Sequence, residues 1–202
     1  MKPHYSIILA TVAVLSVSGC ASSPKARFFV FARDPGNIEN ASRGVGEGSF
    51  IIRARNLGLP AYLDRPQIVS FVAPGELQAD EFNRWGKPLS GMVARQVGLT
   101  LMSELPDAYV DIHPWRGQED TAYLLDMNVL RMDGEMGGPV YLEVQWTIVK
   151  SADSGAKPIA MKLSRYQHPA ADRSIPAYVE AMRLNVEALA RDMAAVIRDQ
   201  RK

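Results

Sequence analysis

A strict alternation of apolar and polar side chains near residue 144 constrains the fold more than any other feature of the sequence. The apolar positions are Val140, Leu142, Val144, Trp146 and Ile148. Side chains two residues apart lie on the same face of a β-strand, so the segment predicts a strand in a sheet that has one face on a core and one toward water. Residues 122–132 alternate in the same way, and residues 158–166 follow a predicted turn at 151–156. These three segments predict an antiparallel meander.

Two helices complete this pattern. Apolar residues recur every fourth position from Leu89 to Leu105, after Pro88, and again from Tyr178 to Ile197, after a candidate capping residue, Ser174. Such spacing predicts two amphipathic helices, each with one face on a core. Shorter strands are predicted at 28–32 (buried), 50–55, 67–72, 76–79 and 109–113. With the helix at 88–105 as a crossover, we expect an α/β sandwich with a mixed, largely antiparallel sheet of about six or seven strands.

The first twenty residues predict a lipoprotein leader. Lys2 precedes an uncharged apolar run from Ile7 to Val17, and Ser18 and Gly19 then lead to Cys20, the only cysteine. This arrangement is typical of a signal peptide with a lipobox, in which the Cys20 thiol receives a diacylglyceryl group before cleavage makes it the N-terminus. The alternative, a transmembrane anchor, is disfavoured because a spanning helix needs roughly 20 apolar residues. Ala21 rather than Asp after the cysteine favours the outer membrane, with the domain on its periplasmic face.

The composition fits one domain behind this leader. We divide the sequence into a signal peptide at 1–19, a lipidated tether at 20–26 and a single periplasmic domain at 27–202. The tether reaches at most about 25 Å when extended, which keeps the domain close to the membrane. The sequence has 23 basic and 22 acidic residues, and Lys2 leaves with the leader. The balanced charge excludes the strongly basic footprint of a nucleic-acid binder.

The sequence offers no convincing catalytic, metal or cofactor site. His4 leaves with the leader, and His113 and His168 lie far apart without a second ligand at metal spacing. Gly44, Gly46 and Gly48 depart from the spacing of a dinucleotide loop and lack its strand–helix context. We therefore expect a protein that is not an enzyme and needs no cofactor.

Five residues are candidates for a partner-binding surface. They are Tyr62, Leu63, Asp64, Arg65 and Trp85. Tyr, Trp and Arg dominate interface hot spots, which favours a contact site. The structural alternative is equally open at this stage: Asp64 and Arg65 would cap a tight turn bounded by Pro60 and Pro66, and Trp85 would pack over a helix start.

The sequence resembles the ABC-type transport auxiliary lipoproteins. The resemblance is carried by residues 59–69, Leu-Pro-Ala-Tyr-Leu-Asp-Arg-Pro-Gln-Ile-Val, and by residues 81–89, Glu-Phe-Asn-Arg-Trp-Gly-Lys-Pro-Leu. It extends to the strand after the lipidated cysteine, to Trp146 after a Gly-Gly turn and to the closing helix, so it covers the mature chain. The departures are Phe29-Val30-Phe31, where the family tends to have Tyr, and Gly86-Lys87, where an acidic residue often precedes the proline.

The resemblance implies a part in lipid transport between two membranes. Such lipoproteins work beside an inner-membrane permease and a periplasmic MCE-domain protein, and some form homo-oligomeric rings that resemble a docking collar at the outer membrane. Two other hypotheses stay open. One is an assembly factor or plug for an outer-membrane β-barrel protein, and the other is a lipoprotein hydrolase that would use His113 or His168.

Overall fold

The computed structural model of the chain describes residues 24–31, 49–111, 121–151 and 155–201. The part of the chain within these ranges forms eight strands and two helices. In chain order they are β1 (Arg27–Phe29), β2 (Phe50–Gly58), β3 (Gln67–Ala73), β4 (Glu76–Trp85), α1 (Leu89–Glu104), β5 (Ala108–Asp111), β6 (Thr121–Gly134), β7 (Pro139–Lys150), β8 (Lys157–Pro169) and α2 (Ile175–Asp199).

Five strands form the larger sheet, in the order β5-β2-β6-β7-β8. β2 runs parallel to β5 and β6, whereas β6–β7 and β7–β8 are antiparallel. α1 contacts β2 and β5, α2 contacts β7 and β8, and the two helices contact each other. The helices therefore form one layer on one face of this sheet, and the predicted α/β sandwich with a mixed sheet is confirmed. Among the described residues β8 pairs with β7 alone, so β8 is an edge strand.

The buried side chains of the core lie at the apolar positions that the sequence alternation predicts. The five apolar positions of β7 from Val140 to Ile148 are all buried. The facing stripes of the helices are buried as well, from Leu89 to Leu101 in α1 and from Tyr178 to Ile197 in α2. Both patterns depend only on local spacing, because a period of two and a period near 3.6 each select one face of an element.

The second helix begins as the sequence predicts. The Ser174 hydroxyl accepts a hydrogen bond from the backbone N–H of Ala177 at 3.3 Å, and Pro176 lies in the first turn. This bond satisfies one of the N–H groups that a helix start leaves unpaired. Neither described helix is long and apolar enough to cross a membrane.

The other three strands form a separate smaller sheet, in the order β1-β4-β3. β1 is parallel to β4, and β3 and β4 form an antiparallel hairpin that turns at Gly75, whose φ is +79°. An isolated bridge between Phe71 and Glu135 connects this sheet to the larger one. The eight strands thus exceed the expected six or seven and fall into two sheets rather than one.

β4 extends beyond the predicted segment 76–79 and ends at Trp85. The sequence predicts the shorter strand because residues 80–85 lack apolar alternation. The Asp80 carboxylate accepts hydrogen bonds from the backbone N–H groups of Phe82 and Asn83, both at 2.9 Å. The register of β4 with β3 jumps between Asp80 and Arg84. The strand continues beyond this irregularity because β1 pairs with it. The register partners on β1 and β4 are 56 residues apart in the sequence, which local pattern cannot supply.

The prediction that residues 28–32 are buried is wrong for two of their side chains. Phe28 is 67% exposed and Val30 is 44% exposed, whereas Phe29 and Phe31 pack against the core. β1 is an edge strand of the small sheet, so only alternate side chains face inward.

Candidate functional site

The segment from Pro60 to Pro66 is a tight turn between β2 and β3. The Leu63 N–H donates to the Pro60 carbonyl and the Arg65 N–H donates to the Leu63 carbonyl, both at 2.9 Å. The Trp85 N–H donates to the Pro66 carbonyl at 2.7 Å. Each proline limits the local backbone, and each proline carbonyl accepts a bond, so the turn is fixed against the end of β4.

Tyr62 connects this turn to the far end of β6. Its hydroxyl donates to Asp133 Oδ2 at 2.6 Å, and the Arg131 Nε–H donates to Asp133 Oδ1 at 2.6 Å. The Arg131 guanidinium lies 4.4 Å from the ring centroid of Tyr141 and 5.2 Å from that of Phe71. We call Tyr62, Arg131 and Asp133 the Asp133 cluster. It joins the turn, the larger sheet and the small sheet.

The Asp133 cluster is partly withdrawn from water. Asp133 is buried, whereas Tyr62 and Arg131 are half-buried. Burial, and then the hydrogen bond to Asp133, raise the pKa of the Tyr62 hydroxyl well above its ordinary value. Nearby, burial and then the Asp133 charge raise the pKa of Tyr178, whose hydroxyl donates to the Val69 carbonyl at 2.9 Å. These hydroxyls therefore stay protonated and act as hydrogen-bond donors.

The structure divides the five candidate contact residues into two groups. Leu63 is 2% exposed and Trp85 is 6% exposed, and the Trp85 ring packs edge-on against Phe31 with centroids 5.9 Å apart. Tyr62 belongs to the Asp133 cluster. Asp64 and Arg65 are exposed at the tip of the turn. Burial or hydrogen bonding within the domain thus accounts for Tyr62, Leu63 and Trp85. Asp64 and Arg65, which the structural alternative assigned to capping the turn, lie exposed at its tip and are the candidate residues left on the surface.

The histidine proposed for a hydrolase is part of a structural network. His168 Nδ1 lies 2.8 Å from Asn185 Oδ1, and Asn185 Nδ2 donates to the Val140 carbonyl at 2.9 Å. Asn185 is completely buried, so it links β7, β8 and α2 within the core. His113 lies outside the described residues. No group of three potential metal ligands is found in the described ranges.

A surface that the sequence pattern did not reveal lies where β1 meets β4. Phe28, Val30 and Phe82 are exposed there. Beside them is a cleft of about 160 Å³ between β1 and α1. It is lined by Val30, Phe31, Lys87, Met92, Arg95, Gln96 and Leu99. The sequence signal that indicates it is the basic flank of the apolar run, Lys25 and Arg27.

The face of the larger sheet opposite the helices carries paired charges. Arg53 Nε lies 3.3 Å from Asp111 Oδ2, and Arg165 Nη2 lies 3.1 Å from Glu143 Oε1. Arg55 forms a further ion pair with Asp126. Oppositely charged side chains on neighbouring strands stabilise a sheet modestly and neutralise its surface.

Comparison with known proteins identifies the family. A family model described as ABC-type transport auxiliary lipoprotein component matches residues 35–194. The chain belongs to this family of ABC-type transport auxiliary lipoproteins, which confirms the resemblance read from the sequence. Membership implies a membrane-anchored lipoprotein of the cell envelope that serves an ABC-type transport system. Cys20, the expected point of attachment, lies outside the described residues.

Two solved structures share the fold. Protein XCC0632 from Xanthomonas campestris gives a TM-score of 0.60 at 17% identity, covering 88% of this chain and 95% of that chain. The crystal structure of an uncharacterized protein gives a TM-score of 0.64 at 15% identity, covering 77% and 96%. At these identities the likeness establishes the architecture alone. No curated protein gives a significant match.

Proposed function

We propose that this chain is a non-enzymatic lipoprotein subunit of an MCE-type intermembrane lipid transport system. In this proposal Cys20 is acylated and holds the domain at the periplasmic face of the outer membrane. The domain assembles as a homo-oligomeric ring that docks or collars the periplasmic MCE-domain protein, which in turn works with an inner-membrane permease. The observation that carries the proposal is the family match across residues 35–194.

The arrangement of the domain supports a positioning role. The buried polar groups at the turn and at Asn185 bind one another and the backbone, so their hydrogen-bonding capacity serves the fold. Asp64 and Arg65 project from a turn that is fixed by three backbone hydrogen bonds. A charged tip on a fixed backbone suits a surface that must meet a partner in one orientation, because little backbone order remains to be imposed on binding.

Site-specific crosslinking tests the proposal. Acylation of Cys20 leaves no native thiol, so an Arg65→Cys substitution introduces the only reactive one. In cells that produce the full chain, we expect the Arg65→Cys variant to crosslink to an MCE-domain protein. Gln145→Cys is the matched control. Gln145 lies on the face of the larger sheet that is opposite the helices, and we expect no crosslink to the MCE-domain protein from this position. Purification of the unmodified chain in mild detergent should recover the same protein and a ring-sized oligomer.

Other outcomes would contradict the proposal in distinct ways. Capture of an outer-membrane β-barrel protein at position 65 would favour the assembly-factor hypothesis instead. A monomeric chain that recovers no MCE-domain protein would remove the ring and the docking role. Retention of the lipoprotein in the inner membrane on fractionation would remove the outer-membrane location.

A further inference from the structure

The exposed surface of β1 and β4 combines aromatic side chains with cations. Phe28, Phe82 and Val30 are 67%, 45% and 44% exposed, respectively. We call these three residues, with Lys87 and Arg95 beside them, the β1–β4 face. An exposed apolar patch that is rimmed by polar groups marks an interaction surface.

The strand register brings the members of this face together. Phe28 on β1 is the partner of Arg84 on β4, so these two side chains project from the same side of the small sheet. Phe82, two residues before Arg84, is exposed as well. Gly86 follows β4, and a Cβ placed there would be 3.0 Å from Val30 Cγ1 and 3.8 Å from Phe28 Cβ. The absence of a side chain at Gly86 leaves the two apolar groups uncovered.

Two cations beside this face have no acidic partner among the described residues. Lys87 and Arg95 line the cleft beside Val30, and neither forms an ion pair with a described carboxylate. Arg84, the register partner of Phe28, lies 3.6 Å from Glu81. Arg27 stacks on the Phe29 ring at 5.2 Å and so belongs to the other side of β1. The face therefore presents the positive charge of Lys87 and Arg95 beside exposed apolar side chains.

We infer that the β1–β4 face lies against a bilayer surface that contains anionic lipids. Exposed apolar side chains such as Phe insert at the boundary between headgroups and acyl chains, and basic residues bind anionic headgroups there. The geometry of the tether agrees. Phe28 follows Cys20 by eight residues, a stretch that spans at most about 29 Å. This inference rests on the proposed acylation of Cys20, and it adds which side of the domain meets the lipid.

The alternative occupant is the same face of a second copy. Two such faces brought together would oppose Lys87 and Arg95 with their counterparts, and the described residues of the face include no acidic side chain to offset them. Like charges across an interface disfavour association. An anionic membrane complements the face instead, so the bilayer is the occupant that its charge favours.

Spin labels at single cysteines test the inference. The full acylated chain is reconstituted in vesicles of phosphatidylethanolamine and phosphatidylglycerol, with a nitroxide attached after Phe28→Cys or Phe82→Cys. Met161→Cys is the matched control, because Met161 is a 74% exposed apolar residue on the other sheet. We expect collisions with a water-soluble nickel complex to be severalfold rarer at positions 28 and 82 than at 161, and collisions with oxygen to be more frequent.

Charge reversal tests the role of the cations. A Lys87→Glu/Arg95→Glu variant, labelled at Phe28→Cys, should lose most of the difference between phosphatidylglycerol-containing vesicles and pure phosphatidylcholine vesicles. Lys157→Glu/Lys162→Glu, on exposed positions of β8, controls for net charge and should keep that difference. Equal aqueous exposure at 28, 82 and 161 would overturn the inference. So would dipolar broadening between labels at position 28 in detergent without vesicles, since the face would then join two copies.

Mass spectrometry of the same purified protein shows whether Cys20 is acylated. The result distinguishes a failure of this inference from a failure of the proposed function. If the chain is acylated but the labels at 28 and 82 are exposed to water, the proposed contact of the β1–β4 face with the bilayer is wrong. The lipoprotein role is then unaffected. A chain without lipid overturns the anchor, and the face is then judged by flotation with phosphatidylglycerol vesicles. Flotation that a Phe28→Ser/Phe82→Ser variant abolishes would support the face, and no flotation would overturn it.

Discussion

The two sheets of this domain are stabilised in different ways. The five-stranded sheet has one face under two helices and the other crossed by paired charges, such as Arg53 with Asp111. The three-stranded sheet is held by a few long-range contacts, namely the Asp133 cluster, the Tyr178–Val69 hydrogen bond and the burial of Trp85. A sheet of three strands is close to the lower limit of independent stability. The comparison teaches that the small sheet depends on its attachment to the large one.

The surfaces of the two sheets also differ in how their charged side chains are paired. On the larger sheet, described arginines pair with carboxylates on neighbouring strands, so its outer face is electrically balanced. Beside the small sheet, Lys87 and Arg95 form no ion pair with a described carboxylate, although Arg84 on the sheet itself pairs with Glu81. Exposed apolar side chains occur on both sheets, such as Met161 and Leu163 on β8, so charge is what distinguishes the two surfaces. The surface beside Lys87 and Arg95 is suited to a ligand that carries negative charge.

Removing the carboxylate that joins the sheets should have the largest effect. We expect Asp133→Ala to lower the free energy of unfolding by about 3 kcal/mol, because Tyr62 and Arg131 would both lose a buried, charge-assisted partner. Urea unfolding measures the loss. Hydrogen exchange should locate it, with faster exchange in β3 and β4 than in β6–β8. Uniform acceleration across both sheets would show that the small sheet does not depend on this attachment.

Removing one hydroxyl from the same cluster should have a smaller, pH-dependent effect. We expect Tyr62→Phe to cost about 1 kcal/mol at pH 7 through the lost hydrogen bond to Asp133. The pKa of Tyr62 is raised in the folded protein, so its contribution is complete below the unfolded pKa near 10 and declines as the pH rises beyond it.

The difference in the free energy of unfolding between the wild-type chain and the Tyr62→Phe variant should therefore become smaller above pH 10. Urea unfolding at pH 7 and at pH 10.5 measures this change. A difference that stays constant or widens at high pH would argue against a protonated, donating Tyr62.

The smallest effect is expected on the balanced face of the larger sheet. Asp126→Ala should change the free energy of unfolding by less than about 1 kcal/mol, because its ion pair with Arg55 is open to solvent. A double-mutant cycle with Arg55→Ala isolates the pair energy, which should diminish further in salt. A loss as large as that of Asp133→Ala would erase the distinction between the two sheets.

Local periodicity explains what the sequence predicted well. The stripes of α1 and α2, the alternation of β7 and the Ser174 cap each depend on residues a few positions apart. The motif at residues 59–69 identified the family and located a real turn. The sequence could not assign roles within it, because Tyr62 and its partner Asp133 are 71 residues apart.

Non-local pairing explains what was missed. β1 and β4 pair although a long stretch of chain separates them, and that pairing extends β4 through polar residues. It also decides which side chains of the apolar run near Phe28 face outward. Composition alone favours burial for every residue of such a run, and only the neighbouring strand shows that alternate ones are exposed.

The open side of β8 has a consequence for molecules crowded on one membrane. An unpaired strand edge is a template for joining the same edge of a neighbour, which leads toward fibre growth. Here Pro158 and Pro169 withhold amide donors near the two ends of the strand, and Lys157, Lys162 and Arg165 place like charges along it. Neighbouring molecules can thus stand side by side at high surface density without their sheets fusing into a continuous ribbon.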